Sequence, residues 1–128
     1  MDASDRYERG LKVFQQIYGE VGAKTLASLR EVAPDMARYL VEFAFGDLFS
    51  RPGLDLKSRE IAAVAALTAM GNAAPQLRAH IHGALNVGCT EQEIIEIIMQ
   101  ITIYAGFPAT LNGLAAAREV FTERAAKK

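Results

Sequence analysis

A single cysteine, Cys89, stands among 128 residues, so the chain can form no internal disulfide framework and suits a reducing compartment. Charge of one sign is also in short supply: fourteen lysines and arginines against fifteen acidic residues leave a formal net charge of -1. Without a basic excess or a Lys/Arg run there is no electrostatic footprint for phosphates, and nucleic acid is not expected as a partner. Long hydrophobic runs are missing, since the longest near-apolar stretch, residues 61–70, is far too short to cross a bilayer. The charged opening, residues 1–10, lacks the apolar core of a secretory signal. These absences predict a soluble, cytoplasmic protein with neither membrane nor nucleic-acid partners. No segment sustains the period-2 alternation of a half-buried strand, which points away from sheets.

What is present is helical. Hydrophobic residues at 51% and charged residues at 23% give an ordinary globular composition, and the length fits one domain over residues 1–128. Tyr7, Leu11, Phe14 and Tyr18 form one apolar stripe on a first helix, with Ser4 placed to cap it and Gly19 and Gly22 marking its end. A shorter amphipathic stretch follows over 23–32, carrying Leu26 and Leu29. Pro34 opens a third helix in which Met36, Leu40 and Phe43 line one face, joined by Phe45, Leu48 and Phe49. Arg51-Pro-Gly53 breaks the chain, Asp55 can cap a helix over 56–71, and 72–75 make a second break. A helix over 76–86 carries both histidines and ends at Gly88, suited to a left-handed cap. Thr90 and Glu93 make a capping box ahead of Ile94, Ile95, Ile97, Ile98 and Ile101. The last helix starts near Pro108 and holds Leu111, Leu114 and Phe121. Residues 61–70 are apolar around nearly the whole helix, more than a chain of this size covers alone, so the expectation is an oligomer with closely packed, alanine-rich contacts.

Few side chains are placed for chemistry. Glu60 stands at the polar end of the most apolar helix, where a carboxyl group suits proton donation or relay near neutral pH; the competing reading is a first-turn acid that favours the helix dipole. His80 and His82 lie two apart, about 200° around the axis, so they face different ways and make a poor chelating pair. No cysteine or acidic cluster completes a site, and no metal is expected. An imidazole is the commonest acid–base group at neutral pH, while a lone histidine also serves as plain structure. Cys89 precedes a helix start, which can stabilise a thiolate, but it has no resolving partner and fits better as a small buried residue. Arg51, Arg59 and Arg78 are candidate anion-binding groups. The residues themselves lead no further than a helical oligomer with a candidate Glu/His site.

Arg51-Pro-Gly-Leu-Asp-Leu-Lys-Ser-Arg-Glu60 ahead of an apolar helix resembles the central motif of the carboxymuconolactone decarboxylase family. Leu77-Arg-Ala-His-Ile-His-Gly-Ala-Leu-Asn-Val-Gly-Cys-Thr90 resembles its second motif and Tyr104-Ala-Gly-Phe-Pro-Ala109 its third; Arg6-Tyr-Glu-Arg-Gly10 is also similar. The resemblance implies an all-α, single-domain bundle of about six to seven helices related to alkylhydroperoxidase D, assembled as a trimer or a hexamer. It also implies one of two chemistries. The thiol branch needs a Cys-x-x-Cys pair, whose positions fall here on Asn72 and Pro75, so dithiol reduction is excluded. The other branch is a cofactor-free decarboxylase of aromatic catabolism, acting on γ-carboxymuconolactone, whose histidine aligns with His80. Where that branch commonly has arginine two positions later, this chain has His82.

For a small carboxylated lactone or related organic acid, the electrons left by carbon dioxide can collect on a conjugated carbonyl oxygen without metal or cofactor. His80 is then the expected source of the hydrogen bond or proton, with Glu60 holding its tautomer or relaying protons. Arg59, Arg78 and His82 are the expected substrate-binding groups. Two alternatives stand beside this reading: a thiol antioxidant acting through Cys89, with peroxiredoxin activity, and a non-catalytic binding member of the family.

Overall fold

A computed structural model describes the backbone of residues 3–127 and the side chains of 5–127. The described residues form helices joined by short turns, with no strand among them. Ser4 and its expected capping role lie outside the described side chains. The chain divides into two compact units, Met1–Leu56 and Lys57–Lys128.

The first unit packs a long helix against a shorter stretch that changes register midway. Helix α1 (Ala3–Val32) is broken once, at Gly19, whose φ of 57° lies in the left-handed region. Gly22 does not end the helix as the sequence suggests. A Cβ there would meet the Tyr18 Cβ at 2.4 Å, so this glycine serves close packing within the helix. Helix α2 (Pro34–Tyr39) begins on proline, and the chain then widens into a π-helical segment, Leu40–Leu48. This segment packs closely against α1. A Cβ at Gly10 would stand 2.0 Å from the Val41 carbonyl oxygen, and one at Gly46 would stand 2.5 Å from that of Arg6. The two backbones therefore touch. Arg9 Nε donates to the Gly46 carbonyl at 2.7 Å, and Arg6 grips Asp47 through two bonds of 3.1 and 2.7 Å.

Beyond that contact, Phe14, Tyr18, Phe45 and Phe49 form an aromatic cluster with successive ring centroids 5.1–5.6 Å apart. The stripe expected from Met36, Leu40 and Phe43 exists, but it does not face the core. Ala37, Val41 and Phe45 are buried instead, while Met36 and Phe43 are exposed.

The second unit contains α3 (Leu56–Met70), α4 (Ala74–Asn86), α5 (Glu91–Gln100), α6 (Thr102–Ala105) and α7 (Phe107–Ala126). Its core joins Val64 of α3, Leu77, Ile81 and Ala84 of α4, Ile94 and Ile98 of α5, and Ala116, Ala117 and Val120 of α7. Burying each of the larger aliphatic side chains contributes roughly 1.5–3 kcal/mol. Helix α5 starts on the expected capping box, with Glu93 N–H donating to Thr90 Oγ1 at 3.0 Å and Thr90 N–H donating to Glu93 Oε1 at 2.9 Å. Helix α3 is not covered on all sides within this chain. Its buried residues Glu60, Val64 and Thr68 follow one i, i+4, i+8 stripe, and Ala62, Ala66, Ala69 and Met70 are exposed. No helix among the described residues is long and apolar enough to cross a membrane.

Candidate active site

The buried stripe of α3 begins with an acid. Glu60 occupies the first position of the series that continues to Val64 and Thr68, and it is 0% exposed. Helix periodicity therefore carries a carboxyl group into the interior. On α4, His80 sits beside Ile81, the fully buried centre of that helix's inner face, and keeps 23% of its own side chain exposed. The two meet across the α3–α4 pair, with His80 Nδ1 and Glu60 Oε2 2.8 Å apart. Where Nδ1 carries a proton it donates to the Glu60 carboxyl, and this bond fixes the orientation of the ring.

Other groups surround this pair. Lys57, one turn before Glu60, reaches Glu93 at 3.4 Å and ties the start of α3 to that of α5. The Thr90 backbone N–H, then Lys57, holds the Glu93 carboxyl below the usual carboxylate range. Cys89 is 6% exposed, and burial, followed by Glu93 and Glu60, pushes its thiol up. A thiol held protonated in this way is a weak nucleophile.

His82 turns to the other side of α4, as the two-residue spacing requires. It is 5% exposed, with Nε2 3.4 Å from Glu123 Oε2, while Arg124 Nη1 donates to Nδ1 across 3.3 Å. Burial, with smaller contributions from Arg124 and Lys127, lowers its pKa against the pull of Glu123. Arg78 pairs with Glu119 of α7 at 3.3 Å and lines a cavity of about 340 Å³ together with Asn72, Pro75 and Asn112. Arg59 is half-buried next to Glu60 on α3. Of the residues singled out from the sequence, then, the fold brings Glu60 and His80 into contact and engages Arg78 and His82 with α7. The α7 partners Glu119, Glu123 and Arg124 carry no sequence signal, because only tertiary packing sets them opposite α4. Among the described residues, no three His, Cys, Asp or Glu side chains converge as metal ligands would.

Residues 34–119, a span that contains both members of the Glu60–His80 pair, match the model of the carboxymuconolactone decarboxylase family. The 4-carboxymuconolactone decarboxylase of Acinetobacter baylyi is 34% identical over 124 residues, covering 96% of this chain and 92% of that protein. An uncharacterised 15.0 kDa protein of Paracoccus denitrificans is 35% identical over 77% of this chain and 74% of its own length. The nitrosuccinic acid decarboxylase of Metarhizium robertsii is 27% identical over 91% of this chain and 82% of its own length. By the matched span and by these relatives, the chain belongs to the carboxymuconolactone decarboxylase family.

Proposed function

We propose that this chain is a cofactor-free carboxy-lyase acting on a small carboxylated lactone or related organic acid, with His80 meeting the substrate and Glu60 setting the ring. The observation that supports this most is the 2.8 Å contact between a fully buried carboxyl group and a partly exposed imidazole. The names of two decarboxylase relatives support this substrate class. A lactone carbonyl and a nitro group are both sinks for the electron pair that carbon dioxide leaves behind.

In this reading the substrate carboxylate departs as carbon dioxide, and the C–C bonding pair moves through the conjugated system onto the acceptor oxygen. His80, protonated on both nitrogens, offers Nε2–H first to that oxyanion and then gives its proton to carbon. Glu60 on Nδ1–H compensates the imidazolium charge until that transfer; water then returns the proton to His80, and the hydroxide left behind is taken up by carbon dioxide as bicarbonate. Arg59 or Arg78 holds a second substrate carboxylate, Arg78 by exchanging its Glu119 partner for the ligand.

The same proposal includes self-assembly, as a trimer or hexamer working in the cytoplasm. Ile103, Tyr104, Phe107 and Leu111 are 79%, 77%, 71% and 60% exposed in one chain, an apolar surface at α6 and the start of α7 that a second copy would cover. Carbon dioxide release should be followed with γ-carboxymuconolactone and nitrosuccinate, and the particle mass by sedimentation. His80→Ala is expected to lower kcat about a hundredfold or more. Unchanged turnover in that variant overturns the role given to His80.

A further inference from the structure

Leu29, Met36, Tyr39, Leu40, Phe43 and Ala44 line a surface cavity of about 620 Å³ within the first unit, open to solvent on one side and with room for a small organic ligand. Into these apolar walls the π-helical segment places one acid. Glu42 is only 3% exposed, and Arg38 Nη1 reaches its Oε1 at 3.3 Å. A carboxylate accepts more hydrogen bonds than this one contact uses, so Glu42 still has lone pairs to offer the cavity. Burying an acid beside apolar side chains is costly, and an aliphatic residue of similar volume serves packing better. The π-helical register is a second departure from the economical structure, and such segments occur frequently at functional sites.

The charges on the lining select the ligand. Arg6 is matched by Asp47 at 2.7 Å, and Arg38 by Glu42 and by Asp35 at 3.5 Å. An anionic ligand would meet Glu42, and a cationic one would compete with Arg38. A neutral hydroxyl can donate to Glu42 and accept from Arg38 at once. We infer that this cavity binds an uncharged apolar molecule of ring size that carries a hydroxyl group, as an alkylphenol does.

The test is calorimetric titration of the full-length protein with 4-butylphenol, 4-butylbenzoate and 4-butylbenzylamine, which share one apolar body. The phenol is expected to saturate one site per chain, with the carboxylate and the ammonium about tenfold weaker or more. Glu42→Gln and Phe43→Ala should each weaken phenol binding about fivefold or more. Phe43 is 57% exposed, so its truncation leaves a folded protein even where the Glu42 variant fails to fold. Equal affinity for all three compounds, no saturable binding, or phenol binding unmoved by Phe43→Ala overturns the inference. So does a drop in sedimenting mass on Phe43→Ala, which would make this face an interface between copies.

Discussion

Arg124 of α7 donates to Nδ1 of His82 across 3.3 Å, and because a guanidinium only donates, the buried ring accepts there and keeps its proton on Nε2, facing Glu123 at 3.4 Å. The neutral imidazole thus bridges α4 to both residues. Burial first, and the nearby cations next, lower its pKa from the usual 6.5 despite Glu123. The sign follows from linkage: the unfolded chain binds the proton more readily, so the contribution is complete above the unfolded pKa and is lost as pH falls through the folded one. His82→Gln removes this titration. Between about pH 7.5 and pH 5.5, the melting temperature of the wild type should fall further than that of the variant, by a few degrees. Equal falls would show that His82 does not couple to folding.

For the Glu60–His80 pair the expected behaviour is that of one unit. Glu60→Gln keeps the shape but cannot compensate an imidazolium, so kcat should fall about tenfold to a hundredfold with less change in KM. In the double variant Glu60→Gln/His80→Ala, the loss should be no greater than that of His80→Ala alone, because Glu60 acts through the ring. Multiplying losses in steady-state kinetics would show that Glu60 works independently.

Both members of the pair stand out in the sequence as candidates, but it is the resemblance to the family's motifs that joins them, since spacing alone also fits a first-turn acid and a structural histidine. Glu60 heads the residues that recur at i, i+4 and i+8, and His80 sits one position from the apolar centre of α4. The capping box of Thr90 and Glu93 and the left-handed Gly88 are equally plain, since both depend on local chemistry alone. The π-helical segment is not, because apolar periodicity is read with a 3.6-residue turn, and the close approach of its backbone to Gly10 is a long-range contact that spacing does not show. Met36 and Phe43 share one helix face by that period but are exposed, because which face of a helix is covered depends on the elements packed against it. Gly22 looks like a stop and is a packing residue. Long-range ion pairs such as Arg78–Glu119 leave no trace in spacing.

Cys89 offers a test of how the environment controls a lone thiol. Burial and the neighbouring Glu93 and Glu60 all oppose the thiolate, with Lys57 the countervailing charge. At about pH 8 the native protein should react with a disulfide reagent at least about tenfold more slowly than the chain in denaturant, and Cys89→Ser should leave carbon dioxide release unchanged. A native thiol as fast as the denatured one would reverse this reading and revive the antioxidant alternative.

The contact between α1 and the π-helical segment makes the sharpest stability prediction. At Gly10 an added methyl would lie 2.0 Å from the Val41 carbonyl oxygen and 2.9 Å from the Gly46 nitrogen, both backbone atoms with no rotamer to yield. The helices must separate to admit it, which weakens the Arg9 bond to the Gly46 carbonyl and the Arg6 grip on Asp47. Gly10→Ala should therefore destabilise the protein by about 1–3 kcal/mol, although alanine is the better helix former by roughly 1 kcal/mol. Ala27→Gly, at an exposed position of the same helix, provides the control, with a loss of about 1 kcal/mol from propensity alone. Denaturant unfolding of both variants decides the matter: a Gly10→Ala midpoint at or above the wild type would mean that the two backbones do not touch in solution.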